Sequence, residues 1–481
     1  MKKIITQQGF ALCFCVCILM LFNVSCKDFV NIEAPIGQIV DEKVYSNDES
    51  ATAALRGIYS QMISTNGFAS GGANSVTMLA GLSADDFKNY SSMESSIQFS
   101  TNNLTSDNLT TIGTALWQEP YKYIYFANLL IENLDKSPGV SAKAKLQLSG
   151  EAKFIRAFCH FYLTNLFGNV PYIQSTDYKS NTLHSANSSA EIYTLLIKDL
   201  TEAKTQLSSE YASAERGRPN RWAAAALLAR VYLYHKDWLN AERESSEVIA
   251  QNSYSIVSDL NQVFVRGSTE SIWQLAMPPS LGFNTKEASN FILISPPGSY
   301  TGITLSDELL SSFEPGDKRN QAWVGTFSDA MGTWKFPFKY KQLAEVGPSV
   351  EYSVVLRLAE QYLIRAEARV NQGKITDGLT DLNLIRSRAR NMPTSDVPDP
   401  LPNLELSLSQ SDALMAVERE RRIELFSEWG HRWMDLKRTS RATLILGPLK
   451  APNWQESDVL YPIPASELLN APNLRQNPGY N

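Results

Sequence analysis

The sequence predicts a mainly α protein, a frame of paired helices that carries long irregular loop regions and a few short strands. Three observations predict it. Apolar residues recur every three or four positions through most of the chain, two pairs of such segments are joined by short turns, and two long stretches rich in Ser, Asn, Gly or Pro lack a helical period. The 481 residues are 43% hydrophobic and 20% charged, the balance of a folded globular chain. Forty-four Lys and Arg against fifty Asp and Glu give −6, and −8 once Lys2 and Lys3 leave with the leader described next. That balance excludes a nucleic-acid partner bound through phosphate neutralisation.

Lys2 and Lys3 precede an uncharged run from Gly9 to Phe22, too short to span a bilayer as a helix and suited to the apolar core of a signal peptide over residues 1–25. The following Asn23-Val24-Ser25-Cys26 resembles a lipobox, cut so that Cys26 becomes the acylated first residue, although Asn23 stands where Leu is usual. Acyl chains tether by burying CH₂ groups in the membrane. Cys13, Cys15 and Cys17 leave with the leader, so Cys159 is the one free thiol and no disulfide framework exists. Its setting, Phe158-Cys159-His160-Phe161, reads as buried helix.

Residues 26–44 read as an extended tether, with Pro35 and Gly37. The frame then spans about 45–67, 114–252, 353–390 and 411–438. Ser46 to Glu49 predicts a capping box ahead of Leu55, Ile58 and Met62 at helical spacing. A helix over Leu116 to Leu134 keeps Pro120 near its first turn, Ala142 to Phe167 is stopped by Gly168, and Ser188 with Glu191 caps another helix. Arg221 to His235 and Trp238 to Ala250 alternate large and small residues and resemble a tetratricopeptide unit; Leu356 to Val370 with Thr376 to Arg390 makes a similar pair. The loop regions are about 68–113 and 254–352, the second with strand-like Glu270 to Leu275, and one last helix is expected from Ser411 to about Leu436.

Enzyme motifs are missing: no Gly-x-Ser-x-Gly, no His-Glu-x-x-His, no phosphate loop. His160, His184, His235 and His431 show no metal-ligand spacing, so neither metal nor cofactor is expected. Glu418, Glu420, Glu424 and Glu428 interleave with Arg419, Arg421, Arg422 and Arg432 and read as an ion-pair lattice along one helix rather than as catalytic groups. Aromatic residues in the loop regions remain. Flat rings flanked by Asn, Asp and Arg stack on the C–H face of sugars while the polar groups meet hydroxyls; such rings also serve as anchors for irregular chain.

From Glu151 to Phe158 and on to Leu166-Phe167-Gly168-Asn169-Val170-Pro171, the chain resembles the SusD/RagB family of outer-membrane nutrient-binding lipoproteins. Arg218 to Ala224, Leu356 to Ala368, Glu418 to Leu425, Trp429 to Arg438 and the Tyr461-Pro462-Ile463-Pro464 ending resemble its other segments in order, over nearly the whole chain. The resemblance implies a tetratricopeptide-like frame, lipid-anchored on the outer face of the outer membrane and capping a SusC-like TonB-dependent transporter. It implies capture of oligosaccharides, or peptides in some branches, without catalysis. By residue type and location the candidate ligand residues are Phe87, Asn89 and Tyr90, after the family-like Ser83-Ala84-Asp85-Asp86, with Tyr300, Trp323 and Trp334 in the second region. Asp317-Lys318-Arg319 resembles a structural turn of the family. Two other readings stay open: an all-helical glycoside hydrolase, which needs two facing carboxylates that the sequence does not offer, and a protein-binding helical scaffold.

Overall fold

A 26-residue helix, Ala142–Phe167, runs through the middle of a mostly helical molecule, and nearly every residue from Phe154 to Leu163 is buried. The computed structural model describes residues 44–213, 215–278, 284–298, 302–343 and 349–480. The expected signal peptide, Cys26, nearly all of the tether, and Tyr300 lie outside the described residues. The α-helices of eight residues or more are α1 (Asp48–Ser64), α2 (Val76–Ser83), α3 (Glu94–Thr101), α4 (Glu119–Lys136, entered through a π-helical segment Leu109–Gln118), α5 (Ala142–Phe167), α6 (Ser189–Gln206) and α7 (Arg221–Tyr234). They continue with α8 (Trp238–Ile249), α9 (Leu358–Asn371), α10 (Ile375–Ala389), α11 (Gln410–Leu425), α12 (His431–Arg438) and α13 (Ala442–Leu449). No helix of the described residues is long and apolar enough to cross a membrane.

From α4 to α8 each helix packs against the next, then α8 packs on α9 and α9 on both α10 and α11. The α7/α8 and α9/α10 hairpins are therefore stacked, although the whole second loop region separates them in sequence. Small residues make this possible: Ala223 to Ala226 on α7 are fully buried and let neighbouring backbones approach. Each fully buried Leu, Phe or Ile side chain adds about 1.5–3 kcal/mol of burial. Cys159 lies in this core, where burial pushes its thiol well above the ordinary range.

The Ser188 capping box forms as its residues predict. The first helix differs: Asn47, not Ser46, is its cap and accepts from Ser50 N–H, while the Asp48 carboxylate accepts from the backbone N–H and hydroxyl of Ser141 at the start of α5. The first loop region also holds more structure than its composition suggests. Helix α2 is buried on every side, so it carries no amphipathic period by which to be recognised.

Strands are short and paired in antiparallel twos: β1 (Phe87–Asn89) with β3 (Ile303–Leu305), β2 (Ser271–Leu275) with β6 (Ser353–Arg357), and β4 (Val324–Asp329) with β5 (Gly332–Pro337). The expected late helix is broken in two between Leu425 and His431. Ser427, Trp429 and Gly430 take positive φ there, and a Cβ on Gly430 would sit 2.7 Å from Ala80 Cβ of α2, so the turn needs glycine. The charged residues of this stretch also correct the expected lattice: Glu418 and Arg432 pair with each other, but across α11 and α12, and the others named next reach different parts of the molecule. Glu424 takes Arg319, Arg357 and Arg388; Glu428 takes Lys339 and Arg357; Arg422 and Arg432 reach Asp85.

Candidate ligand-binding site

Where α2 ends, Ala84-Asp85-Asp86 leads into β1, and the chain then turns through Tyr90 and Ser91 into α3. With Ser306 to Glu308 and Leu449-Lys450 these segments enclose an open concavity of about 590 Å³. Its walls are fixed to the frame by charge. Arg432 Nε and Nη2 donate to the two Asp85 carboxylate oxygens at 2.7 and 3.0 Å, and Arg422 Nε donates to Asp86 at 3.2 Å. Burial works to raise the Asp85 carboxyl, but the Arg432 hydrogen bonds and the charges of Arg422 and Arg432 outweigh it and hold it below its ordinary value. Asp86 goes the other way, because its burial outweighs Arg422.

The concavity floor is closed by Lys450, whose Nζ donates to Leu82 O at 2.9 Å and Ser100 O at 2.7 Å, carbonyls in the last turns of α2 and α3. A cation at two helix C-termini answers both orphan carbonyls and both dipoles. Burial lowers its ammonium to about 8, with Asp85 and Glu308 opposing. Asn89 builds the turn itself: its Oδ1 accepts from Ser91 N–H at 3.0 Å and its Nδ2 donates to Ser91 O at 3.2 Å. Tyr90 N–H donates to Gly302 O at 2.6 Å, which continues the β1–β3 ladder by one residue; Tyr90 is 36% exposed, with Lys88 Nζ 5.6 Å from its ring centroid.

Three of the residues nominated from sequence, Phe87, Asn89 and Tyr90, thus line one concavity. Of these, Tyr90 offers an accessible ring. Phe87 is buried at the floor with its ring centroid 5.6 Å from that of Phe291, and Gly81 leaves room for it. Trp334 sits on β5, half-buried, facing Phe327 across the hairpin at 6.1 Å, and β5 lies against β3. Tyr300 lies outside the described residues.

Trp323 is a correction. It is 0% exposed, its Nε1–H donates to Leu260 O at 3.0 Å, and its ring lies 4.6 Å from Lys339 Nζ. It is a core residue, and the irregular sequence around it hid this because a short helix and a strand start supply no periodic signal. Lys88, Ile97, Ser100 and Lys450 also line the concavity and were not singled out in sequence. Lys450 comes from more than three hundred residues along the chain, which no local pattern reveals.

A family model described as starch-binding associating with outer membrane matches residues 40–233, and one described as SusD family matches residues 331–480. SusD-like protein P25 of Formosa agariphila is 23% identical over 95% of this chain and 96% of its own length. SusD-like protein P2 of the same organism is 27% identical over 96% of this chain and 98% of its own. The solved structure of a laminarin-binding SusD-like protein superposes with a TM-score of 0.73 at 24% identity, over 91% of this chain and all of that one.

Proposed function

Because the chain belongs to the SusD/RagB family, we propose that it captures oligosaccharide at the Tyr90 concavity and passes it, unaltered, to a SusC-like TonB-dependent transporter. It works from the outer membrane, held on the outer face by lipid on Cys26. The observation that carries this reading is the Tyr90 ring, accessible beside Asn89 and Lys88 at the rim of a walled concavity. A partly exposed ring offers a face to sugar C–H groups, and the neighbouring Lys88 ammonium offers a donor to hydroxyls. A starch-binding family description and a laminarin-binding structural neighbour support the ligand class.

Capture without chemistry suits the charges there. Asp85, the buried carboxylate behind the concavity, is committed to Arg432 and Arg422, which favours a fixed anion over a proton carrier. The test is to incubate the purified mature chain with labelled starch and laminarin oligosaccharides and with labelled peptides. Retention of intact oligosaccharide, weakened by Tyr90→Ala, is expected. Cleaved product would replace the reading with the hydrolase, and retention of peptides alone would move it to the peptide-binding branch.

A further inference from the structure

A second concavity, of about 520 Å³, opens where the segment 258–261, the short helix Arg319–Ala322, the end of β5 and the residue following α10 and Arg390 meet. Around it stand Asp259, Asn261, Lys318, Gln321, Phe338 and Asn391. The side chains of Asn261, Lys318, Gln321 and Asn391 make no hydrogen bond or ion pair to any described residue. Asp259 spends Oδ1 on Asn261 N–H at 2.9 Å, and its other oxygen accepts no hydrogen bond from the described residues. Three amides, one ammonium and one carboxylate oxygen therefore converge on one volume with their hydrogen-bonding capacity open. In the Tyr90 concavity, by contrast, the Asn89 amide and the Lys450 ammonium are already committed.

The walls are held by the same tryptophan that the sequence had suggested for direct contact. Trp323 Nε1–H fixes Leu260 O at 3.0 Å, Trp323 O accepts Phe338 N–H at 2.8 Å, and Trp323 N–H donates to Arg319 O at 2.8 Å. Asn391 is placed by its backbone N–H on Gly316 O at 2.9 Å, and Lys318 by its own on Ala389 O at 2.8 Å. Lys341 is spent inside, donating to Ala322 O at 2.6 Å and Phe338 O at 2.9 Å, so it adds no open donor. Phe338 is half-buried and supplies the apolar surface. A rigid shell beneath a few convergent polar groups is what a binding site needs.

We propose that this concavity is a second saccharide subsite, for a neutral sugar segment, distinct from the Tyr90 concavity. Amides both donate and accept, as hydroxyls do, and the single open carboxylate balances the single open ammonium, which suits a neutral ligand over an anion. The proposal rests on the saccharide-capture reading above.

Calorimetric titration of the full mature chain with starch and laminarin oligosaccharides, backed by a glycan array to find a binder, tests it. The wild type should show two classes of site. Combined Asn261→Ala, Gln321→Ala and Asn391→Ala, all at the surface, should weaken one class by about tenfold or more, since several hydrogen bonds are lost together. Tyr90→Ala should weaken the other class alone. A single class, lost with Tyr90→Ala and untouched by the triple variant, overturns the second subsite and leaves the capture reading standing. Binding of no glycan across the array removes both.

Discussion

Arg357 and Glu424 form an ion pair inside the protein: Arg357 Nη1 lies 2.6 Å from Glu424 Oε1, and Arg357 is 2% exposed while Glu424 is not exposed at all. Arg388 and Arg319 close on the same carboxylate, and Arg357 also pairs with Glu428 and Glu270. This cluster ties β6, the end of α10, α11 and the Asp317-Lys318-Arg319 turn into one body. Removing Arg357 takes one cation away from three buried carboxylates at once, Glu270, Glu424 and Glu428. Arg357→Met should destabilise the fold by about 3–5 kcal/mol in denaturant titrations. Burial works to raise Glu424, but Arg388, Arg357 and Arg319 outweigh it and hold it far below its ordinary 4.5. The folded state thus loses its proton more readily than the unfolded one. The stability Glu424 contributes is complete above about pH 4.5 and is lost as pH falls below it, and Glu424→Gln should flatten that acid limb.

His160 gives a second pH signature. Ile173 N–H donates to its Nε2 at 3.1 Å, so Nδ1 carries the proton and donates to Arg156 O at 2.9 Å. Burial lowers this imidazole from 6.5 to about 3. Below pH 6.5 the unfolded chain gains a proton that the folded chain refuses. Stability from this group is therefore present above 6.5 and is lost as pH falls toward 3, by up to about 1.4 kcal/mol per unit. Nitrogen-15 spectra should show His160 remaining the neutral Nδ1–H tautomer at pH 5.

Trp323 and Tyr90 should separate core from site. Trp323→Ala empties a fully buried volume and should cost about 3–5 kcal/mol, read as a large fall in melting temperature. Tyr90→Ala should leave stability within about 0.5 kcal/mol while lowering oligosaccharide affinity about tenfold. Trp334→Ala, on an exposed hairpin, should likewise spare the fold.

Asp85 and Arg432 set the wall of the Tyr90 concavity. Arg432→Met leaves Asp85 buried with Arg422 alone and should cost about 3 kcal/mol. Hydrogen exchange should rise in residues 84–91, with a parallel loss of oligosaccharide binding.

Cys26 is the proposed anchor. Metabolic labelling with palmitate should mark the wild-type chain and not Cys26→Ala, which should appear outside the membrane fraction.

Much of this protein was written into local sequence. Periodicity placed α5, α7, α8, α9 and α10 to within a few residues, and Ser188 with Glu191 announced its own cap, because helix amphipathicity and capping act over three or four residues. Tyr90 and Asn89 were legible as polar and aromatic residues just beyond an Asp85-Asp86 turn. Three things were decided only in the tertiary structure. Helix α2 is surrounded by protein, so its sequence has no polar face to betray it. Arg319, Arg357 and Glu424 look like ordinary surface charges until chain segments far apart in sequence bring them together. Trp323 reads as a free ring in an irregular stretch and becomes core because Leu260, Lys339 and Phe264 gather around it. Burial and long-range ion pairing depend on which distant residues meet, and that is settled when the whole chain packs.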